Sequence, residues 1–199
     1  MSSKNYLSIY AKSFNWAGFF LPKKTYKNCS YLYDFCRVVD NIADDEGEIE
    51  IKKIKFQKFV SDFKQKNFED TVIQNMWNII HEFNISLEII YDLFDGIESD
   101  IKQNVKIDTR KDLLIYCYRV AGTVGLMMAK ILKVSKKQSL KSAIDLGIAM
   151  QLTNISRDVI EDSKKNRSYI NGNFEEINST IELADTFYKN SFYSIREIP

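Results

Sequence analysis

The sequence predicts an all-α protein, and three observations lead to this prediction. The 199 residues include 2 prolines and 7 glycines, which is fewer turn residues than a sheet protein of this length needs. Apolar residues recur at three- and four-residue spacings along most of the chain, as on the buried face of a helix. The composition, 45% hydrophobic and 28% charged, indicates one globular domain over residues 1–199 with a substantial core.

Capping residues and turn signals place the helices. Pro22 is favoured in a first helical turn and opens the first helix, which ends before Gly47. The predicted helices cover about residues 23–44, 50–65, 69–82, 86–102, 109–132, 135–163 and 175–197. The predicted capping boxes are Thr109 with Asp112, Ser135 with Gln138, and Ser179 with Glu182. The last of these follows the Asn171-Gly172 turn and would start the final helix.

Charge and cysteine usage limit the classes of function. The formal net charge of +1 gives no field that would attract nucleic acid, so no nucleic-acid partner is expected. Cys29, Cys36 and Cys117 form no C-x-x-C pair, and their odd number suggests thiols in a reducing compartment. The N-terminus lacks the apolar core of a signal peptide, and no apolar run approaches the roughly 18 residues of a spanning helix. We expect a cytoplasmic protein, with peripheral membrane contact as an alternative.

Two of the predicted helices carry a polar stripe among apolar neighbours. The stripe of the first helix consists of Tyr33, Arg37, Asp40 and Asp44. The stripe of the sixth consists of Gln151, Asn154, Asp158 and Asp162. Both sets have the spacing of a single helical face. Because a helix that is apolar on most sides is buried on most sides, each stripe is predicted to face an interior cavity.

Simpler explanations compete with this interpretation. A third pair, Asp108 and Asp112, lies at the start of a helix, where acids cap the N-terminus and complement the helix dipole. Either polar stripe could also be a solvated helix face with local salt bridges. We favour the functional interpretation because both stripes share one layout, with an acid pair at the C-terminal end of a long helix.

The chemistry of the two stripes points to a metal and a diphosphate. Carboxylates close together in an apolar cavity need a counter-ion. Mg²⁺ binds a few carboxylates, keeps some of its water and completes its shell with phosphate oxygens. Asn154 and Gln151 add neutral polar groups, while Arg37 and Arg157 can hold phosphate in a fork. The predicted reaction is metal-assisted departure of diphosphate from a molecule with a hydrocarbon tail.

Other cofactor sites do not fit the sequence. The single histidine, His81, has no second histidine with which to build a zinc or di-iron site. The sequence contains neither a phosphate-binding G-x-x-x-x-G-K-[ST] loop nor a G-x-G-x-x-G dinucleotide motif.

The chain resembles the squalene/phytoene synthase family. The matching segments are AKSFNWAGFFLP, YLYDFCRVVDNIADD, YCYRVAGTVGLMM and LGIAMQLTNISRDVIEDSKKNRSYI. They occur in the family's order, at comparable spacing, and cover most of residues 11–170. The residues in these segments are more similar to those of phytoene synthase than to those of squalene synthase.

The resemblance implies an isoprenoid-synthase-type helical bundle around a central apolar cavity, with Mg²⁺, or alternatively Mn²⁺, between the two acidic motifs. By position, the implied metal-binding residues are Asp40, Asp44, Asn154, Asp158 and Asp162. Tyr33 and Arg37 would join them as catalytic residues. The implied substrate-binding residues are Ser13, Tyr116, Val120, Ala121, Gly122, Gln151, Arg157, Arg167 and Tyr169. Of these, Tyr116 and the run from Val120 to Gly122 would line the prenyl channel.

The implied activity is the head-to-head condensation of two prenyl diphosphates through a cyclopropylcarbinyl diphosphate. We expect geranylgeranyl diphosphate as substrate and phytoene as product, in carotenoid biosynthesis, with no need for NADPH. The alternatives are a squalene or dehydrosqualene synthase that uses farnesyl diphosphate, and a non-catalytic relative that acts as an assembly partner. The family usually carries further helices after the equivalent of Pro199. We therefore expect an incomplete bundle whose last helix has an uncovered face for self-association or a partner chain.

Overall fold

The computed structural model describes residue 18 and residues 20–45 and 47–194 of the chain. Seven helices lie within these residues: α1 (Lys23–Asp44), α2 (Ile49–Lys64), α3 (Thr71–Glu82), α4 (Leu87–Ser99), α5 (Arg110–Ile131), α6 (Lys137–Lys164) and α7 (Phe174–Phe192). Two strands, β1 (Val105–Lys106) and β2 (Arg167–Ser168), pair in parallel. The predicted all-α class is confirmed, while this short strand pair was not predicted.

A π-helical turn interrupts α5. The helix consists of Arg110–Cys117, the π-helical turn Tyr118–Gly122 and Thr123–Ile131. The predicted capping box at its start is confirmed, because Thr109 Oγ1 accepts the Asp112 N–H at 3.1 Å.

The two other predicted capping boxes are wrong. Lys136 is the N-cap residue of α6, one residue after the predicted Ser135. Asn173 caps α7 by accepting the Glu176 N–H on Oδ1 at 2.8 Å. An Asn ahead of Phe174 satisfies the first free N–H groups as well as a serine does. The predicted Ser179 cap therefore lies about one and a half turns inside the final helix, whose first residue, Phe174, is close to the start of the predicted range of about 175–197.

The chain divides into two compact units, Met1–Leu87 and Glu88–Pro199. In the first, α1 packs against α2 and α3 through an aromatic cluster. The Phe35 ring centroid lies 5.6 Å from that of Phe63, which stacks on Trp77 at 5.2 Å. The Trp77 indole N–H donates to the Phe63 carbonyl at 3.0 Å. These contacts bury one face of α1 and fix the helix that carries the first polar stripe.

In the second unit, α5 and α6 cross at very short distance. A Cβ added at Gly125 would lie 2.2 Å from the Ala143 carbonyl oxygen, and one at Gly147 would lie 2.4 Å from the Ala121 carbonyl oxygen. A Cβ added at Gly122 would lie 3.1 Å from the Ile144 side chain. A glycine inside a helix costs about 1 kcal/mol relative to alanine. Close helix packing explains why glycine occupies these positions.

Helix α5 is long and apolar enough to cross a membrane, judged by length and composition alone. The prediction that no apolar segment is long enough to span a membrane was therefore wrong for α5. The same helix packs against α6 at Gly125 and pairs Arg119 with Asp95 of α4 at 3.2 Å. The packing at Gly125 is the kind of contact that helices of a bundle make, whereas the Arg119–Asp95 pair is exposed.

Candidate active site

The first stripe lies on the C-terminal half of α1, as predicted. An Arg37 guanidinium nitrogen donates to the Asp40 carboxylate at 2.9 Å, and both side chains are half-buried. Asp44, the last residue of the helix, is exposed. Burial raises the pKa of the Tyr33 hydroxyl, partly opposed by the positive charge of Arg37. This face therefore presents a neutral phenol beside a guanidinium–carboxylate pair.

The second stripe lies on the C-terminal half of α6, also as predicted. Arg157 donates to both oxygens of Asp158, from Nε at 2.7 Å and from a terminal nitrogen at 2.5 Å. These bonds lower the pKa of Asp158. Burial raises the pKa of Asp162, and the positive charge of Arg167 opposes that rise. Two acids four residues apart thus have their pKa values shifted in opposite directions.

Both acid pairs lie near the C-terminal end of their helix. α1 ends at Asp44 and α6 ends at Lys164. The last carbonyls of a helix carry partial negative charge, which adds to the field of nearby carboxylates. Binding of a cation at these two helix ends stays a prediction, and at the end of α6 the positive charge of Lys164 opposes the field of the carboxylates.

The two other residues of the α6 stripe, Gln151 and Asn154, are not buried. Gln151 is half-buried and Asn154 is exposed. The next turn of the same face carries Asp158, so the four polar groups follow one another along the helix. Whether this face borders an interior cavity stays a prediction.

A buried acid that sequence reasoning missed joins two of the predicted substrate-binding residues. The Tyr116 hydroxyl donates to Asp100 Oδ2 and the Tyr169 hydroxyl donates to Oδ1, each at 2.7 Å. The two rings stack with centroids 4.7 Å apart. None of the three residues is more than 9% exposed. Burial is the largest cause of the raised pKa of both tyrosines, and the charge of Asp100 adds to it.

The predicted channel residues from Val120 to Gly122 form the end of the π-helical turn. Val120 and Ala121 are half-buried and Gly122 is buried. A Cβ added at Gly96 of α4 would lie 2.8 Å from Val120 Cγ1, so α4 closely approaches this turn. π-Helical turns occur frequently at functional sites, but contact with a prenyl chain stays a prediction. Ser13 lies outside the described residues.

Comparison with known proteins decides the family. The model of the squalene/phytoene synthase family matches residues 7–173. This chain belongs to the squalene/phytoene synthase family. Members of this family are prenyltransferases that join prenyl diphosphates head to head. The matched range contains both polar stripes, the π-helical turn and the Asp100–tyrosine contact.

Individual members of the squalene/phytoene synthase family differ in their named products. The chain is 32% identical over 172 residues to the phytoene synthase of Pseudescherichia vulneris, a match that covers 80% of this chain and 55% of that protein. It is also 32% identical to the 4,4'-diapophytoene synthase of Staphylococcus haemolyticus (strain JCSC1435), covering 90% of this chain and 67% of that protein. The chain thus spans little more than half the length of the first relative.

A solved member of the family has the same fold. The structure of a dehydrosqualene synthase in complex with ligand matches with a TM-score of 0.79 and 27% identity. The match covers 99% of this chain and 77% of that one. The predicted helical bundle of the isoprenoid-synthase type is therefore confirmed, in a chain shorter than its relatives.

The residues present fit the Mg²⁺ that the squalene/phytoene synthase family implies. Within residues 18, 20–45 and 47–194, no cluster of three or more acidic, histidine or cysteine side chains could hold a metal ion alone. The two acid pairs, Asp40 with Asp44 and Asp158 with Asp162, instead offer a few oxygen ligands each. Mg²⁺ accepts such incomplete protein sites because water and phosphate oxygens complete its shell. The assignment of these four acids as ligands stays a prediction.

Proposed function

We propose that this chain condenses two molecules of geranylgeranyl diphosphate head to head and converts the product to phytoene. The observation that carries the proposal is the pair of acid–arginine stripes at the ends of α1 and α6, both inside the range that matches the family. Each stripe offers carboxylates for a metal, and one carboxylate of each is bonded to a guanidinium that could hold phosphate, from Arg37 within the first stripe and from Arg157 beside the second. Such a set is suited to a substrate whose leaving group is a diphosphate.

The arginines and acids would exchange partners when substrate binds. Arg37 is bonded to Asp40 of the first stripe, and Arg157 is bonded to its neighbour Asp158 of the second stripe. The acid pairs Asp40 with Asp44 and Asp158 with Asp162 would hold Mg²⁺, which when bound would supply positive charge to stabilise the departing diphosphate. The two guanidinium groups would then turn to the phosphate oxygens, which they can bind in fork geometry.

The proposed reaction needs no redox partner. The C1–O bond of one substrate breaks and diphosphate leaves with the electron pair. The double bond of the second substrate attacks the allylic cation, and loss of a proton closes a cyclopropane ring. The cyclopropylcarbinyl diphosphate then ionises, rearranges and loses a proton to give the hydrocarbon. Half-buried apolar groups such as Val120 and Ala121 would protect the cations from water.

A second candidate substrate is farnesyl diphosphate, which would give dehydrosqualene. The observation in its favour is that the 4,4'-diapophytoene synthase is as similar to this chain, at 32% identity, as the phytoene synthase is. The solved structure that matches is named a dehydrosqualene synthase. The two candidates differ in the depth of apolar cavity that they require.

Competition between the two substrates tests the proposal. The 199-residue chain is incubated with equal concentrations of geranylgeranyl and farnesyl diphosphate, Mg²⁺, and either NADPH or none. We expect phytoene in both reactions, identified by mass spectrometry. A C30 hydrocarbon formed without NADPH would favour the second candidate. Squalene with NADPH, and only the cyclopropyl intermediate without it, would show a squalene synthase.

We further propose that the chain acts in the cytoplasm and touches membranes peripherally to release its product. A hydrocarbon without polar groups partitions strongly from water into a bilayer. Sedimentation with lipid vesicles tests this contact. Binding that rises when product is present would support it, and equal amounts of chain in the supernatant with and without vesicles would contradict it.

A further inference from the structure

Asp100 connects three separate segments of the second unit. It directly follows α4, Tyr116 lies in α5, and Tyr169 directly follows β2. Each carboxylate oxygen accepts one tyrosine hydroxyl at 2.7 Å. Through this contact the end of one helix, the middle of another and the β2 segment converge on one buried carboxylate.

The chemistry of this contact depends on a carboxylate. A buried ionised acid is costly unless hydrogen bonds compensate for its lost hydration, and two phenol donors provide such bonds. An asparagine at position 100 would have the same shape but only one acceptor oxygen. One of the two tyrosine hydroxyls would then have to turn its proton away, which would loosen the stack of the two rings.

The contact also fixes groups at the acid end of α6. Tyr169 lies two residues after Arg167. The turn before Arg167 bonds back to the end of α6, because the Lys165 N–H donates to the Asp162 carbonyl at 2.9 Å and the Asn166 N–H donates to the Ser163 carbonyl at 3.1 Å. The strand that carries Arg167 pairs with β1, because the Val105 N–H donates to the Asn166 carbonyl and the Ile107 N–H donates to the Ser168 carbonyl, each at 3.0 Å. Movement of Tyr169 would therefore displace Arg167 relative to the acid pair.

We propose that Asp100 is a positioning residue of the prenyltransferase reaction: it holds Tyr116 and Tyr169 together and thereby fixes Arg167 beside the acid end of α6. This inference rests on the proposed function. Asp100 acts through its neighbours, and its effect belongs to the chemical step rather than to the affinity for substrate.

The same two helices offer a matched control. Asp92 of α4 accepts the hydroxyl of Tyr118 in α5 at 2.9 Å. This contact has the same chemistry and joins the same helices, but both residues are only half-buried and neither adjoins β2. Asp92→Asn therefore removes a carboxylate–phenol contact without affecting the position of Arg167.

The test compares Asp100→Asn with Asp92→Asn in the 199-residue chain, with geranylgeranyl or farnesyl diphosphate and Mg²⁺. We expect Asp100→Asn to lower kcat at least tenfold with KM changed less than threefold, while Asp92→Asn stays within twofold of the unsubstituted chain. Tyr169→Phe should lower kcat less in the Asp100→Asn background than in the unsubstituted chain, because both changes break one contact. Where Asp100→Asn does not fold, Tyr169→Phe, which keeps the ring, takes its place.

Two failures are distinguishable. Equal kcat values for Asp100→Asn and Asp92→Asn, or fully additive effects with Tyr169→Phe, overturn the inference and leave the proposed function standing. An unsubstituted chain that turns over neither diphosphate overturns the proposed function. Hydrogen exchange of the Val105 and Ile107 amides then decides the positioning claim: at least tenfold faster exchange in Asp100→Asn than in Asp92→Asn supports it, and equal exchange overturns it.

Discussion

Aspartates with the same spacing have different structural roles in this chain. Asp112 belongs to the cap of α5, and Asp108 is an exposed residue paired with Lys106 at 2.5 Å. Asp158 has the same i, i+4 relation to Asp162, but both of its carboxylate oxygens accept hydrogen bonds from Arg157. The surroundings of each acid, rather than its spacing, therefore separate a cap from a candidate ligand.

We predict that Asp40→Asn and Asp158→Asn each lower kcat by a factor of about 10²–10³, as expected when one electrostatic contact to developing charge is removed. Both side chains are partly exposed, so the fold should survive. Asp108→Asn is the matched control, since it removes the same charge from an exposed site and should leave turnover unchanged. Turnover like that of the unsubstituted chain in both variants would contradict the metal assignment.

A second prediction concerns alkaline stability. The pKa values of Tyr116 and Tyr169 are raised above the ordinary value of 10.0, so the unfolded state loses these protons first as the pH rises. Their contribution to stability is fully present below about pH 10 and is lost above it, as the pH rises towards the folded-state pKa values. Thermal unfolding at several pH values from 8 to about 11 measures this loss. A Tyr116→Phe/Tyr169→Phe variant should show a flatter pH dependence, and an equal slope would contradict the account.

The sequence alone could predict groups of residues that helical spacing places on one face, but not contacts between residues that are distant in the sequence. The stripe around Asp158 was predictable because helical spacing brings its members together. Asp100 was not, since its tyrosine partners lie 16 and 69 positions away in the sequence. In addition, the helix predicted to reach residue 102 ends at Ser99, which changes the direction in which this part of the chain presents its side chains.

At the scale of helices, the close crossing of α5 and α6 depends on glycines, because a methyl group at Gly125 or Gly147 would clash with the backbone of the other helix. We predict that Gly125→Ala lowers the free energy of unfolding by about 1–3 kcal/mol, because the added Cβ meets a backbone carbonyl that cannot rotate away. This loss should exceed the gain of about 1 kcal/mol in helix propensity. Urea unfolding measures the difference.

Gly47→Ala is the control for that prediction. A Cβ added there has no neighbour within 4 Å among the described residues, so the free energy of unfolding should change by less than about 0.5 kcal/mol. Equal stability of Gly125→Ala and Gly47→Ala would show that the two helices can separate at little cost.

The helix ends show which structural features local sequence signals can predict. The cap at Thr109 was predicted correctly because its hydroxyl and the Asp112 N–H are close in sequence. The capping residue of α7 was predicted wrongly because two capping signals compete there, and the earlier one, Asn173, prevails over Ser179. Helix existence followed from apolar periodicity, while the short β1–β2 pair depends on a contact between distant segments that local periodicity does not encode.

At the scale of the whole molecule, α7 has an exposed apolar face. Phe174 is 81% exposed, Ile181 49% and Phe192 61%, while Ala184 is buried against the core. Burying a large apolar side chain is worth about 1.5–3 kcal/mol, and exposed patches of this kind favour association. We predict that the 199-residue chain self-associates through this face.

Light scattering during size-exclusion chromatography tests this association. We expect a mass above 23.3 kDa for the unsubstituted chain and a shift towards the monomer in Ile181→Glu. Ile54→Glu is the control, since Ile54 on α2 is also exposed, at 65%, but lies outside that face. A monomer that melts cooperatively without any substitution would show that the exposed face does not drive association.

The measurement that tests the central claim most directly is product formation from a single prenyl diphosphate. The 199-residue chain is incubated with geranylgeranyl diphosphate and Mg²⁺ in the absence of NADPH, and both released diphosphate and extracted lipids are quantified. We predict a C40 hydrocarbon with two diphosphates released per molecule formed, and loss of both signals when Mg²⁺ is chelated. A folded chain that releases no diphosphate from either geranylgeranyl or farnesyl diphosphate would contradict head-to-head condensation by this chain.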